Sequence, residues 1–267
     1  MSHDTENAAR DLALVREKHP LVQNITNYVA MHYTANALLA LGASPVMAHA
    51  VEEMEEMTSL ADALVLNIGT LSPPWVEGMV VAGKVASRRG IPVILDPVGA
   101  GATTLRTTTA SRLLDQCKVT VLRGNASEVL AVAKGAGGTR GVDTAHRVEE
   151  AAEAASGWAR LRAVVVAITG AVDSITDGSR VLRVRNGHPL MGNITASGCT
   201  ASAIIGAFCA VNSDALEAAA NALAFYGIAG EHAARTSPRP GTFAVSLIDM
   251  LQAVTPDEVR DEARIGT

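Results

Sequence analysis

The chain has 267 residues, of which 48% are apolar and only 3% aromatic, and its formal net charge is −5 at pH 7. This length suits one large α/β domain or two small ones, and the apolar fraction is sufficient for a sizeable core. The negative charge argues against a nucleic-acid partner, because neutralising phosphates requires a basic surface.

Short apolar runs alternate with amphipathic segments along most of the chain. The runs predict strands at Pro20–Ile25, Ser44–Ala48, Ala63–Ile68, Ile91–Leu95, Val119–Leu122 and Ala163–Ile168. The segments between them predict helices at about residues 30–41, 50–59, 75–89, 107–115, 126–134 and 144–159. This βαβα order predicts an α/β fold with a mostly parallel central sheet and helices on both faces.

The pattern changes after Thr169. Val172–Thr176 and Arg180–Val184 flank an Asp177-Gly178 turn, which predicts an antiparallel hairpin. Helical patterns then follow at 198–211, 214–235 and 242–253. Since no Pro/Ser-rich linker or repeat interrupts the chain, we expect a single domain over residues 1–267. The glycine-rich segment Gly135–Gly141 predicts a surface loop; without a strand-to-helix context it is a weak phosphate-binding candidate.

The ends and cysteines of the chain bear on its location. Acidic and basic residues run throughout the first twenty positions, without the apolar stretch of a signal peptide. The stretch Gly198–Val211 is too short to span a bilayer. Cys117, Cys199 and Cys209 lack the spacing of a zinc site or a disulfide framework. We therefore expect a cytoplasmic protein with no membrane partner.

Five of the predicted strands carry candidate site residues at or just after their carboxyl ends, most of them polar or glycine. They are Met47 and His49, Gly69-Thr70, Asp96–Gly101, Arg123–Glu128 and Thr169-Gly170. Because ligands of open parallel sheets bind at the carboxyl ends of the strands, we expect these residues to converge at one edge.

Three of these residues favour a phosphate and metal site. Asp96 and Glu128 supply two carboxylates, which can hold a hydrated Mg²⁺, and Arg123 can neutralise a phosphoryl group. Plainer interpretations remain open at this stage. Asp96 is also a common turn or cap residue, and Arg123 and Glu128 are also compatible with a local ion pair.

A second cluster, Thr195-Ala-Ser-Gly-Cys-Thr200, precedes a helix of small residues. Its backbone N–H groups at a helix N-terminus would form an anion site. The alternative is simple helix capping by Thr195 or Ser197.

These segments resemble hydroxyethylthiazole kinases. The resemblance covers about residues 20 to 251 and is carried by Leu21-Val-Gln-Asn-Ile-Thr-Asn-Tyr-Val-Ala, Thr34-Ala-Asn-Ala-Leu-Leu-Ala-Leu-Gly-Ala-Ser-Pro-Val-Met-Ala-His, Leu95-Asp-Pro-Val-Gly-Ala-Gly-Ala-Thr, Arg123-Gly-Asn-Ala-Ser-Glu, Thr169-Gly-Ala-Val-Asp, Thr176-Asp-Gly and Asn186-Gly-His-Pro-Leu-Met. It implies a ribokinase-like fold and transfer of phosphate from ATP, with Mg²⁺, to the hydroxyl of 4-methyl-5-(2-hydroxyethyl)thiazole in thiamine salvage.

The resemblance also implies roles for individual positions. Met47 would contact the thiazole, Arg123 and Thr169 would contact ATP, and Asp96 and Glu128 would lie near Mg²⁺ and the phosphates. The family is similar to enzymes that form homotrimers with the site between subunits, and Asn27 and Met47 would belong to that shared pocket.

The motif at the anion site departs from the family pattern. Ribokinase-like enzymes carry Gly-x-Gly-Asp, whose Asp is the base for the alcohol, and thiazole kinases usually carry Gly-x-Gly-Cys. This chain has Ala196-Ser197-Gly198-Cys199. The resemblance therefore implies that Cys199 takes the catalytic position of the thiazole enzymes. Ala196, which retains its backbone N–H, and Gly198 would bind the substrate.

Other functions on this fold are weaker candidates. An ATP- or ADP-dependent NAD(P)H-hydrate dehydratase would need its own Asp-bearing signature, which is not visible. A hydroxymethylpyrimidine kinase is nearer, but its relatives do not share the Val22–Asn27 and Ser44–Met47 segments. A non-catalytic sensor is hard to reconcile with two carboxylates and an arginine at one site.

Overall fold

The computed structural model describes residues 5–134 and 144–267. In these ranges the strands are β1 (Leu21–Ile25), β2 (Ser44–Val46), β3 (Ala63–Asn67), β4 (Val93–Asp96), β5 (Val121–Asn125), β6 (Val165–Thr169), β7 (Asp173–Thr176), β8 (Val181–Val184) and β9 (Ile265–Gly266). They form one sheet in the order β2-β1-β3-β4-β5-β6-β7-β8-β9. Neighbours from β2 to β6 are parallel, and β7, β8 and β9 continue the sheet antiparallel. The predicted parallel sheet and antiparallel hairpin are both confirmed.

Helices connect and cover these strands. They are α1 (Thr5–Lys18), α2 (Met31–Leu41), α3 (Met54–Leu60), α4 (Pro73–Arg89), α5 (Thr104–Gln116), α6 (Ala126–Lys134), α7 (Thr144–Arg162), α8 (Ser197–Cys209), α9 (Ala215–Thr236), α10 (Pro240–Ala253) and α11 (Pro256–Glu262). Short 3₁₀ turns lie at Val51–Glu53 and Pro189–Asn193. Within the described ranges, every helix falls short of the combined length and hydropathy that a bilayer crossing requires. The predicted loop at Gly135–Gly141 lies outside the described residues.

The two faces of the sheet bury separate cores. Successive side chains of a strand point to opposite faces, so Leu64 and Leu66 of β3 pack on one side and Val65 on the other. The side of Val65 is covered by α1, α2 and α8 to α11, and the side of Leu64 by α3 to α7. Each helix group therefore contributes its own apolar layer to one α/β fold.

Helix α8 lies close against the centre of the sheet. Its residues from Thr200 to Cys209 are all buried, and most are small. A Cβ on Gly206 would stand 3.0 Å from a methyl carbon of Val65. Only a helix of small residues can approach the strands so closely, and this approach fixes where the N-terminus of α8 lies relative to the strand ends.

The strand order reverses direction beside β1. The chain passes from β1 outward to β2 and then returns to the other side of β1 to form β3. Such a switch point opens a crevice at the carboxyl ends of the two strands. Asn27, which follows β1, and Asn67, which ends β3, lie at this crevice and are hydrogen-bonded to each other.

Helix α1 is not among the helices predicted from the sequence. Its buried face consists of two alanines, one leucine, one valine and Asp11, which gives little contrast with the charged residues around it. It packs against α9 and α11. Arg16 donates to the carbonyls of Leu251 and Gln252, both at 3.1 Å, and Arg260 of α11 donates to Glu6 at 2.6 Å. Tertiary contacts with the far end of the chain hold this helix.

Candidate active site

Polar residues of five strands or strand ends converge at the carboxyl edge of the sheet. In the parallel register Asn67 pairs with Asp96, and Asn125 pairs with Thr169. Asp96, Arg123 and Thr169 lie inside their strands, which corrects the prediction that each follows its strand. The ladders extend beyond the apolar core, so these polar side chains are held by strand hydrogen bonds and not by loops.

Asp96 is completely buried at the centre of this edge. Its Oδ2 accepts hydrogen bonds from Asn67 and from Ser202 of α8, both at 2.8 Å, and lies 3.7 Å from the Arg123 guanidinium. Burial raises the pKa of Asp96, opposed by the charge of Arg123. Its Oδ1 has no hydrogen-bond partner among the described residues. A buried carboxylate oxygen without a partner is costly, so it is a position for a ligand that the carboxylate can bind.

Arg123 lies between Asp96 and the start of α8. Its Nη2 donates to the Thr169 hydroxyl at 2.6 Å, and its buried Nε is unpaired within the part of the chain that the structure describes. A Cβ on Gly198 would stand 2.8 Å from Nη1 of Arg123. A side chain at position 198 would displace the guanidinium, so glycine here lets it approach the helix terminus.

The N-terminus of α8 has no side-chain cap. Its N-cap residue is Ala196, with φ of +68° and ψ of −6°, and no side-chain hydrogen bond caps it. The alternative of capping by Thr195 or Ser197 is therefore not realised. A left-handed conformation costs a non-glycine residue about 1–2 kcal/mol. The uncapped amides and the adjacent Arg123 are groups of the kind that can bind an anion.

Glu128 ties two segments of this edge together. Its Oε1 accepts from the backbone N–H of Gly99 at 2.8 Å, and its Oε2 accepts from that of Asn125 at 2.9 Å. The Asn125 side chain accepts in return from the backbone N–H of Glu128 at 2.9 Å. The carboxylate thus joins the loop after β4 to the start of α6, and its remaining lone pairs are available to a cation.

Cys199 lies at the switch-point crevice. Its Sγ accepts a hydrogen bond from Nδ2 of Asn27 at 3.2 Å, and the same Nδ2 donates to Asn67 at 2.9 Å. Burial raises the pKa of the Cys199 thiol, and the nearby charge of Asp96 raises it further. At neutral pH the thiol is therefore protonated and is a weak base.

A cavity of about 730 Å³ opens in front of these groups. Its walls include seven of the nine predicted site residues, namely Asp96, Arg123, Glu128, Thr169, Ala196, Gly198 and Cys199. The described residues that line it do not include Asn27 or Met47. Asn27 contacts the site through Cys199, whereas Met47 lies in the segment after β2, half-buried.

Sequence reasoning missed other residues of this cavity. One wall is the segment Asn186–Gly192, and Asp173, Leu223 and Tyr226 also line it. Two further residues, Asn67 and Ser202, hold Asp96. Asn67 could have been found because it ends a strand next to that of Asp96. Nothing local marks Tyr226, which comes from the middle of a long helix.

The carboxyl of Asp173 is expected to make the stability of the folded protein depend on pH. Burial raises its pKa from 3.8 to about 6, although the Gly170 N–H donates to it at 2.9 Å. A raised folded-state pKa means that its contribution to stability is complete below 3.8 and is lost as the pH rises through about 6. Asp173→Asn keeps an acceptor for Gly170 and removes this loss.

The expected result is a melting-temperature advantage for Asp173→Asn that grows by at least about 2 °C between about pH 5 and about pH 7.5, at roughly 2–4 °C per kcal/mol. Differential scanning calorimetry of both ligand-free proteins measures it. A difference that stays constant with pH would show that Asp173 titrates normally.

Comparisons with known proteins agree with this geometry. A model of the hydroxyethylthiazole kinase family matches residues 12–257. The hydroxyethylthiazole kinase of Desulfotalea psychrophila is 51% identical over 265 residues, which cover 99% of this chain and 97% of that protein. The solved structure of hydroxyethylthiazole kinase from Pyrococcus horikoshii OT3 has a TM-score of 0.89 and 46% identity, covering 97% of both chains.

A more distant likeness concerns the fold alone. The structure of a ribokinase-like superfamily protein from Enterococcus faecalis V583 has a TM-score of 0.63 at 14% identity, covering 88% of this chain and 87% of that one. The two proteins therefore share a fold although their sequences are only 14% identical.

Proposed function

Because this chain belongs to the hydroxyethylthiazole kinase family, it is a kinase of the thiazole alcohol, and we propose that the cavity at the carboxyl edge of the sheet is where the transfer occurs. The observation that carries this assignment is the junction of Arg123, buried Asp96 and the uncapped N-terminus of α8. A phosphoryl group needs stabilisation of charge on its oxygens, and these groups supply it without moving.

In this proposal ATP binds with its phosphates between Arg123 and α8. Thr169 accepts from Arg123 and thereby orients the guanidinium, and the backbone amides around Gly198 receive phosphate oxygens. The thiazole alcohol lies against Ala196, Gly198 and Cys199. Its oxygen forms the new bond to phosphorus as the bond to ADP breaks, and the hydroxyl proton is released.

Two carboxylates would hold the divalent metal, which we propose is Mg²⁺. The described residues contain no group of three or more His, Cys, Asp or Glu side chains that could hold a metal ion. Mg²⁺ does not need such a group, since it commonly binds one or two carboxylates, waters and substrate phosphates. The unpartnered Oδ1 of Asp96 fits this role, and the carboxylate of Glu128, which lines the same cavity, would be the second ligand. When bound, the ion supplies neutralisation of phosphate charge.

The direct test of this function is detection of the phosphorylated product by mass spectrometry. Hydroxyethylthiazole, hydroxymethylpyrimidine and ribose should be compared side by side with ATP and Mg²⁺. Only the thiazole is expected to give a product at a useful rate. Preferential phosphorylation of the pyrimidine would overturn the assignment.

Cys199 tests how the alcohol proton leaves. We expect Cys199→Asp to preserve or raise kcat, because phosphoryl transfer through a loose transition state needs little early proton removal and a carboxylate is the better acceptor. Donors from Asn27 and Arg123 nearby can stabilise it next to Asp96. Steady-state rates over about pH 6 to 9 for the Asp, Ser and Ala variants measure this.

The Ser and Ala variants serve as matched controls. If both variants keep nearly the kcat of the natural protein, Cys199 only packs beneath the substrate. A collapse of kcat in Cys199→Asp, with thiazole and ATP binding intact, would show that this position does not face the alcohol.

We also propose a homotrimer with the site completed by a neighbouring subunit. Met47 does not line the cavity of its own chain. Next to Asn27, the apolar side chains of Tyr28 and Val29 are 67% and 61% exposed. An exposed apolar patch beside an incomplete pocket is typical of an interaction surface.

Sedimentation equilibrium is expected to give a trimer, and Val29→Asp is expected to weaken it and to lower activity at the same time. A matched control is Leu161→Asp, since Leu161 is 81% exposed on α7, which packs against β6, and three strands separate β6 from β1 in the sheet. A fully active monomer at assay concentration would contradict the shared site. A cytoplasmic location, where ATP is available, completes the proposal.

A further inference from the structure

The hydroxyl of Tyr226 lies behind the anion site. Tyr226 belongs to α9 and is only 3% exposed, yet it lines the cavity. Its Oη donates to the backbone carbonyl of Ser197 at 3.2 Å and lies 3.3 Å from the Ser197 hydroxyl. Because the single phenolic proton goes to the carbonyl, the serine hydroxyl donates in the second contact. Both bonds hold the first residue of α8.

This contact does not change with pH over the working range. Burial raises the pKa of Tyr226, so the phenol stays protonated and remains a donor. Its backbone position is equally fixed, because α9 packs tightly here. A Cβ on the next residue, Gly227, would stand 2.5 Å from the carbonyl carbon of Asn186.

The residue that Tyr226 holds comes directly after the strained one. Ala196 adopts a φ of +68° immediately before Ser197. Relaxing Ala196 to a right-handed conformation would turn the Ser197 peptide and redirect the amides after it. The other side chains of this turn are held further along, Cys199 by Asn27 and Thr200 by Thr34. Within the described residues, Tyr226 is thus the group that acts next to the strain.

We propose that Tyr226 is a positioning residue, which keeps the uncapped amides of α8 in the orientation that receives the transferring phosphoryl group. It acts by opposing the relaxation of Ala196. The inference rests on the proposed function for its kinetic consequence, whereas its structural consequence can be measured without any substrate.

The kinetic test is a double-mutant cycle between Tyr226→Phe and Ala196→Gly. In the natural background, loss of the hydroxyl is expected to lower kcat about tenfold, with the KM for the thiazole changed less than about twofold, because the amides act on charge in the transition state. Glycine adopts the left-handed conformation without strain. We therefore expect the kcat of the double variant, Ala196→Gly with Tyr226→Phe, to be less than about threefold below that of Ala196→Gly alone. Equal losses in both backgrounds would overturn the proposal.

The second test uses amide hydrogen exchange on the ligand-free proteins. Thr200 N–H bonds the Ala196 carbonyl at 2.8 Å, so fraying of this turn exposes it. Tyr226→Phe should speed exchange at Thr200 at least about fivefold and leave the later turns of α8 unchanged. Ser197→Ala, which keeps the bond to the carbonyl, should change it less. Unchanged exchange at Thr200 would overturn the proposal, even in a protein whose thiazole kinase activity is absent.

Discussion

Asp96→Asn is expected to lower kcat by about 10²–10³-fold, the size associated with loss of one preorganised electrostatic group. In the natural protein Asn67 and Ser202 donate to the carboxylate at 2.8 Å, and the amide oxygen of the variant can still accept from both. What the substitution removes is the negative charge and the unpartnered Oδ1, which we assign to the cation. The variant should therefore fold and bind the thiazole while losing the chemistry.

The measurement is kcat and both KM values over a range of Mg²⁺ concentrations. Because burial raises the pKa of Asp96, replacing the charge with a neutral amide should leave the melting temperature within a few degrees of its original value. Asp115→Asn is the matched control, since Asp115 pairs with Arg162 on the exposed surface. If Asp96→Asn kept full kcat at saturating Mg²⁺, the carboxylate would be structural.

Arg123→Lys is expected to lower kcat/KM for ATP by about 10²-fold. The guanidinium reaches Thr169 at 2.6 Å and Asp96 at 3.7 Å from two different nitrogens. A lysine ammonium is a single point and cannot span both partners while also facing a phosphate. The positive charge remains, so buried Asp96 keeps a counter-ion and the fold should persist.

Isothermal titration of the ligand-free variant with ATP, together with steady-state kinetics, separates binding from chemistry. The KM for the thiazole should change less than about threefold. Arg162→Lys, at an exposed ion pair, provides the control for a simple Arg-to-Lys exchange. An unchanged kcat/KM for ATP in Arg123→Lys would show that the nucleotide does not contact this arginine.

The parallel sheet could be predicted because each strand is a compact apolar run. The boundaries were less accurate, since the predicted strands starting at Ile91, Val119 and Ala163 begin two residues later in the structure, at Val93, Val121 and Val165. Ile91 and Val119 pack into the core ahead of their strands, so their apolar character does not mark the start of the ladder. Ala163 is exposed and has a φ of +51°, which places it in the turn before β6. At the other end the ladder runs into polar residues such as Arg123, which a hydrophobicity pattern excludes from a strand.

The candidate site was predictable where it depends on strand ends and not where it depends on packing between distant elements. Asp96, Arg123 and Thr169 could be placed near one another because parallel strands end at one edge. Cys199, which lies on α8, was placed at the site only by the resemblance of its motif. Tyr226 and Asp173 could not, because a buried tyrosine in an apolar helix and an acid at the start of a hairpin have many ordinary uses. The left-handed conformation of Ala196 is not marked by its own residue type, because alanine stands where related enzymes carry the glycine that adopts this conformation freely.

The contact between α1 and the C-terminal helices has a consequence for biogenesis. Helix α1 is synthesised before the first strand of the sheet, yet its partner Arg260 is 254 residues from Glu6. At a synthesis rate of roughly 5–20 residues per second, roughly 10–50 s pass between Glu6 and Arg260, so the cover that α9 and α11 give to Ala8, Leu12 and Val15 is completed only near the end of synthesis. During that time the growing chain carries an exposed apolar helix, a surface of the kind that chaperones bind. Closure of the fold around α1 is therefore a late event of synthesis, which is completed only when residues beyond 251 have emerged.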